Sequence, residues 1–119
     1  TTAPASKLHV EGSVTSVISQ RLDTSTSYTF VLGDQSNIVA CANGSAITAT
    51  VPPNSSVAFP LGAELAVVQG GAGQVTLTGG AGVTLYAADS ELKTRVQYSM
   101  AYLYQSSANN WIVAGDLTS

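Results

Sequence analysis

Ala46-Ile47-Thr48-Ala49-Thr50-Val51-Pro52-Pro53-Asn54 is the stretch that decides the fold. In an extended chain successive side chains point to opposite faces. Ile47, Ala49 and Val51 therefore share one face, and Thr48 and Thr50 share the other. This is the pattern of a half-buried strand. Pro52 and Pro53 end it, because proline has no N–H to give to a sheet. The same reading extends outward. Ser27 to Leu32 and Asn37 to Ala42 precede it as strands, the second stopping at Asn43-Gly44, a dipeptide suited to a tight turn. Glu64 to Gly70 follows, after a loop anchored by Phe59 and bent at Pro60. Helical spacing of apolar residues is not sustained anywhere, and Ser90 to Val96 is the one plausible helical turn.

Gly71-Ala72-Gly73-Gln74-Val75-Thr76-Leu77 is echoed by Gly80-Ala81-Gly82-Val83-Thr84-Leu85. Each copy reads as a glycine turn feeding a short strand, and the two together as a hairpin. In Gln97 to Gln105, period 2 places Tyr98, Met100, Tyr102 and Tyr104 on one face. Ala108-Asn109-Asn110 reads as a hairpin turn before a closing strand, Trp111 to Ala114. The expected fold is all-β: a single compact antiparallel β-sandwich or barrel of about eight short strands with an extended N-terminal arm. Residues 1–25 form the arm and first strand or strands, a candidate attachment segment in which Leu8, His9 and Val10 are the contact residues. Residues 26–119 form the β-domain.

Charge separates the function classes. Between Asp34 and Asp89 the only charged residue is Glu64, and the 119-residue chain is 9% charged, against about 25% in an ordinary domain. So neutral a surface suits packing against other protein. Lys7, Arg21, Lys93 and Arg95 are the only Lys and Arg, too few and too scattered to replace phosphate counterions or hold a membrane surface. No apolar run approaches the ~20 residues of a spanning helix. Thr1 to Ser6 lack the basic start and apolar core of a signal peptide.

Catalytic constellations are sparse. The acids Glu11, Asp23, Asp34, Glu64, Asp89, Glu91 and Asp116 sit mostly at turns and strand ends, not in pairs. The single Cys41 lies in an apolar strand pattern and reads as a small buried hydrophobe. With His9 as the only histidine, no zinc set is available. Gly70-Gly71-Ala72-Gly73 lacks the Lys-Ser/Thr and helix of a phosphate loop. The expectation is a non-enzyme without cofactor or metal. Glu64 carries two readings: an edge-strand charge that discourages wrong pairing, or a salt bridge to Lys93 or Arg95 of a neighbouring subunit. The Tyr98, Met100, Tyr102, Tyr104 face carries three: core layer, subunit interface, or sugar-stacking platform.

From Ala46 onward the chain resembles a recurrent β-domain of tailed-bacteriophage structural proteins. The resembling segments are Ala46 to Gly62, the strand Glu64 to Gln69, Gly71 to Leu77, Gly82 to Leu85, Gln97-Tyr98-Ser99 and Trp111 to Leu117, with Tyr28 to Leu32 and Asn37-Ile38-Val39 also fitting. Such domains occur in head-decoration proteins, head fibres and tail fibres, usually as trimers. The resemblance implies a virion structural protein, located on the capsid surface or a fibre, partnered by its own copies and by virion proteins such as the major capsid protein or fibre. It brings no catalytic residues. Head decoration is the first expectation. A tail-fibre or receptor-binding module contacting host glycan is the alternative.

Overall fold

The computed structural model describes residues 19–119. The described residues form eleven strands: β1 (Gln20–Asp23), β2 (Ser27–Thr29), β3 (Ile38–Cys41), β4 (Ile47–Val51), β5 (Glu64–Gln69), β6 (Val75–Gly79), β7 (Thr84–Ala87), β8 (Lys93–Thr94), β9 (Met100–Ser107), β10 (Asn110–Gly115) and β11 (Leu117–Thr118). They make two packed sheets. The six-stranded sheet has the order β1-β3-β5-β9-β10-β7, and the five-stranded sheet the order β11-β8-β6-β4-β2. The all-β sandwich is as expected, with eleven short strands in place of about eight.

The antiparallel pairing is corrected. From β1 to β8 the chain changes sheet at every step, so β1, β3 and β5 stack parallel in one sheet. The strands β2, β4 and β6 stack parallel in the other. Both sheets are mixed, with antiparallel pairing confined to β9 with β5 and β10, and β8 with β6 and β11. The chain thus winds as a flattened coil, whose third winding repeats the second 28 residues on (Ile38 to Ala66, Ile47 to Val75). Alternation fixes which residues point inward but says nothing of which strand lies alongside, so it fits both arrangements. The glycine repeat is corrected for the same reason. β6 and β7 lie in different sheets, and the turn between them crosses from one to the other. The expected helical turn at Ser90–Val96 is instead a short 3-10 turn, Ala88–Ser90, followed by β8. The β9–β10 hairpin forms as read, with Asn109 at φ 63° in its turn.

The connections β1–β2, β3–β4 and β5–β6 are arches that lie on one another at one end of the sandwich. Asn43 joins all three. Its side-chain Nδ2 donates to the Thr24 carbonyl at 2.7 Å, and its own carbonyl accepts from the Gly73 N–H at 2.8 Å. Its Oδ1 accepts from the Ser45 N–H at 2.8 Å, closing the arch locally. Gly73 is present because backbone meets backbone here: a Cβ on it would lie 1.9 Å from the Ser45 carbonyl oxygen.

Between the sheets, alternate residues form one core. Ile47, Ala49 and Val51 are buried as expected, facing Val67, Leu103 and Trp111 of the other sheet's inner side. Trp111 meets Phe59 edge to face, with ring centroids 5.4 Å apart. One polar clasp crosses this core. The Thr94 hydroxyl, fully buried, donates to Gln69 Oε1 at 2.6 Å and accepts the Val75 N–H at 2.9 Å. Gln69 Nε2 then donates to the carbonyls of Gly71 and Ala72, fixing the third arch.

The arch and the clasp can each be tested by substitution. Gly73→Ala forces the second and third arches apart and is expected to cost about 3 kcal/mol in urea unfolding. Gly33→Ala, with nothing within 4 Å of its added Cβ, should stay within about 0.5 kcal/mol of wild type. Thr94→Val keeps the shape but leaves two buried groups unpaired, and should cost about 2 kcal/mol, with Thr94→Ser largely restoring it.

Candidate functional site

The outer face of the six-stranded sheet is apolar. Register places Glu64, Tyr104, Ile112 and Tyr86 in one row across β5, β9, β10 and β7. The next row is Gln20, Ile38, Ala66, Tyr102 and Ala114. A third is Leu22, Ala40, Val68 and Met100. Tyr86, Tyr102 and Tyr104 are about half exposed, and Leu22 is exposed. Within these rows Glu64 is the one charged side chain. A groove of about 680 Å³ runs over the face, walled by Tyr102, Tyr104, Ile38 and Ile112 and edged by Ser36, Asn37 and Glu64.

The groove's rim is held from below. Ser36 adopts φ 60°, and its N–H donates to the Glu64 carbonyl at 2.8 Å. Asn37 Nδ2 donates to the Gly33 carbonyl at 2.8 Å. Asp34, buried in the same turn, accepts from the Tyr28 hydroxyl at 2.5 Å and from the Val31 N–H at 2.9 Å. Arg21 donates to the same Tyr28 oxygen at 3.0 Å. Burial, reinforced by the bond to Asp34, pushes the Tyr28 phenol up to about 12. It therefore remains a donor at ordinary pH, and the trio is a structural prop, not a base. Cys41 is buried and its thiol is pushed up to about 11, chiefly by desolvation. A thiol in that state is inert as a nucleophile at neutral pH.

Glu64 does not sit on an edge. β5 lies inside the six-stranded sheet, so the edge-guard reading is corrected. Among the described residues the ion pairs are Arg21–Asp34 and Arg95–Asp116, neither of which uses Glu64. Arg95 is engaged within its own chain. No group of three His, Cys, Asp or Glu side chains suited to a metal comes together among the described residues.

Of the four residues read onto one face, Met100, Tyr102 and Tyr104 share it. Tyr98 parts from them. β9 starts at Met100, and Tyr98 lies in the preceding turn at φ 74°, 74% exposed. The positive φ breaks the period-2 count, which holds only while the backbone stays extended. The core-layer reading fails for all four, since none is buried. Tyr86, Ile38, Ile112 and Leu22 join the face from other strands. Tyr86 was legible from Leu85 pointing inward; the rest needed the strand order. Leu8, His9 and Val10 lie outside the described residues.

The opposite face differs in kind. On the five-stranded sheet one row is Ser27, Thr48, Thr76, Lys93 and Thr118, and the next is Thr29, Thr50 and Thr78. One side of the molecule is therefore aromatic and aliphatic, and the other is hydroxyl.

The turn bearing Tyr98 is rigidly tied. Its N–H donates to the Gln69 carbonyl at 2.7 Å, and Gln97 Nε2 donates to the Gly70 carbonyl at 3.1 Å. Asp116 accepts twice from Arg95, at 2.7 and 2.9 Å, and once from Ser99 Oγ at 2.8 Å. No family model, curated protein or solved structure matches the chain.

Arg95 first, and then Ser99, hold the Asp116 carboxyl below its usual range. A depressed folded-state pKa means stability that is present above the unfolded value of about 4 and is lost as pH falls through the folded value. Asp116→Asn should therefore unfold at lower urea than wild type at pH 7. The gap should close as the pH is taken well below about 4, where the wild-type carboxyl is protonated too.

Proposed function

We propose that this chain is a structural protein of a tailed-phage virion, a trimeric head-decoration protein that cements the shell. The observation that carries the reading is the exposed apolar face of the six-stranded sheet. Aromatic and aliphatic side chains left in contiguous rows, with a single charge among them, favour burial against protein. The sequence resemblance supplies the phage context. A protein of this kind acts by mass action. It binds the assembled shell and not its dispersed subunits, so its binding free energy adds to that of the intact state. Buried apolar area supplies the energy, at about 25 cal/mol per Å². The hydroxyl face, hydrogen-bonding and with Lys93 as the one charge in its rows, suits the side that stays in water.

A second reading is favoured by the groove. Tyr102 and Tyr104 offer ring faces, and Glu64 offers a carboxylate, a combination that fits a pyranose in a tail-fibre or receptor-binding module. The two readings part at a binding assay. A decoration protein sediments with phage heads lacking it and raises the temperature at which they burst. A receptor module binds host cells or surface polysaccharide and ignores heads.

In the decoration reading the purified chain should run at about three times 12.1 kDa and co-sediment with heads. Tyr102→Arg puts a charge into a contact emptied of water, at several kcal/mol per site, and should abolish both. Tyr102→Phe should keep both, at about 1 kcal/mol or less per site. A chain that stays in the supernatant with heads present at tens of micromolar, yet binds host glycan through Tyr102, would replace this reading with the second.

A further inference from the structure

We propose that the copies join head to tail: the turn bearing Tyr98 in one copy seats its ring in the Tyr102–Tyr104 groove of the next. The inference rests on the trimer reading and goes past it by naming which surface meets which.

The knob is already formed. Tyr98 is the most exposed of the large hydrophobic side chains among the described residues, at 74%, and Val96 beside it is half exposed. Its left-handed backbone, φ 74°, is costly for a bulky side chain. The surroundings enforce it all the same, through Gln69, Gly70 and the Arg95–Asp116–Ser99 cluster. A large aromatic fixed outward in this way enters a partner with little left to order.

The groove is its counterpart. It has aromatic and aliphatic walls, and Glu64 at its edge is an acceptor that makes no ion pair among the described residues. A phenol brings an apolar ring to pack on those walls and one O–H donor to offer the Glu64 carboxylate. Tyr98 cannot fill its own groove. It is not among the lining residues, and its turn precedes the strand that carries Tyr102, with three residues between them.

Area favours a second copy. Three half-exposed tyrosines offer about 100 Å² each. Ile38, Ile112, Leu22 and Met100 bring the face to the order of 600 Å², close to the roughly 800 Å² that one partner contributes to a stable interface. A knob on one surface and a groove on another make a heterologous contact, which closes into a ring when the rotation allows. Each copy then uses both surfaces, and burial per copy doubles.

The test mixes two defects. Tyr98→Gly removes the knob and relieves the backbone, since glycine accepts φ near +74° freely. It should be a folded monomer that unfolds no earlier than Tyr102→Arg. Tyr102→Arg spoils the groove and leaves the knob. Each alone should sediment as a monomer at 50 µM or so, with unchanged circular dichroism. Mixed in equal amounts they should form a 1:1 complex of twice the chain mass that grows no further, because one good knob meets one good groove. Glu64→Gln, which keeps an acceptor, should leave the wild-type trimer intact.

A trimer that survives Tyr98→Gly overturns the knob and leaves the trimer reading standing. A mixture that stays monomeric overturns the head-to-tail contact in favour of a face-to-face one. A wild-type chain that is itself monomeric at the same concentration removes the trimer reading and this inference with it.

Discussion

The stack of three arches held by Asn43 is the constraint on which the rest of the molecule depends. Its side chain reaches back one winding to Thr24, and its carbonyl reaches forward one winding to Gly73. With the arches in line, β1, β3 and β5 fall side by side, as do β2, β4 and β6. Register is then set along both sheets at once. A slip of one residue would turn every apolar side chain outward. Thr94 and Gln69 protect against such a slip from inside, because their bonds are satisfied only when the two sheets are in phase.

The two contrasting faces are a consequence of that register. Parallel in-line stacking puts like positions of successive windings side by side. Thr48 therefore meets Thr76, and Thr50 meets Thr78, while Ile38 meets Ala66 on the other sheet. A composition with few charges becomes two chemically distinct surfaces without any residue changing its type. The β9–β10 hairpin then places Tyr102 and Tyr104 beside β5 and completes the groove.

Much of this was legible in the sequence. The inward set Ile47, Ala49 and Val51 needed only alternation, and Met100, Tyr102 and Tyr104 needed only period 2. What failed depended on partners in space. Asn43-Gly44 reads as a tight turn, but the arch holds neither residue at positive φ and is closed instead by the Asn43 side chain on Thr24 and Ser45. The parallel order of the strands is written in bonds between residues about 20 to 30 apart, and no local pattern records them. Tyr98 was misplaced because one left-handed residue, enforced by the Gln69 carbonyl across the turn, ends the alternation a step before the eye does. The edge reading of Glu64, one of its two, fails because a strand's neighbours cannot be counted from its own residues.

The coiled winding also sets how such a chain can change in length. Between the second and third windings the step is 28 residues in both sheets. Within the coiled part, from β1 to β6, a strand is not gained singly, whereas the β9–β10 hairpin adds to one sheet alone. One more winding adds a strand to each sheet, and so widens the apolar face and the hydroxyl face together by about 4.8 Å. Growth of this domain is quantised. A winding added or removed there would leave the balance between its sticky side and its wetted side unchanged.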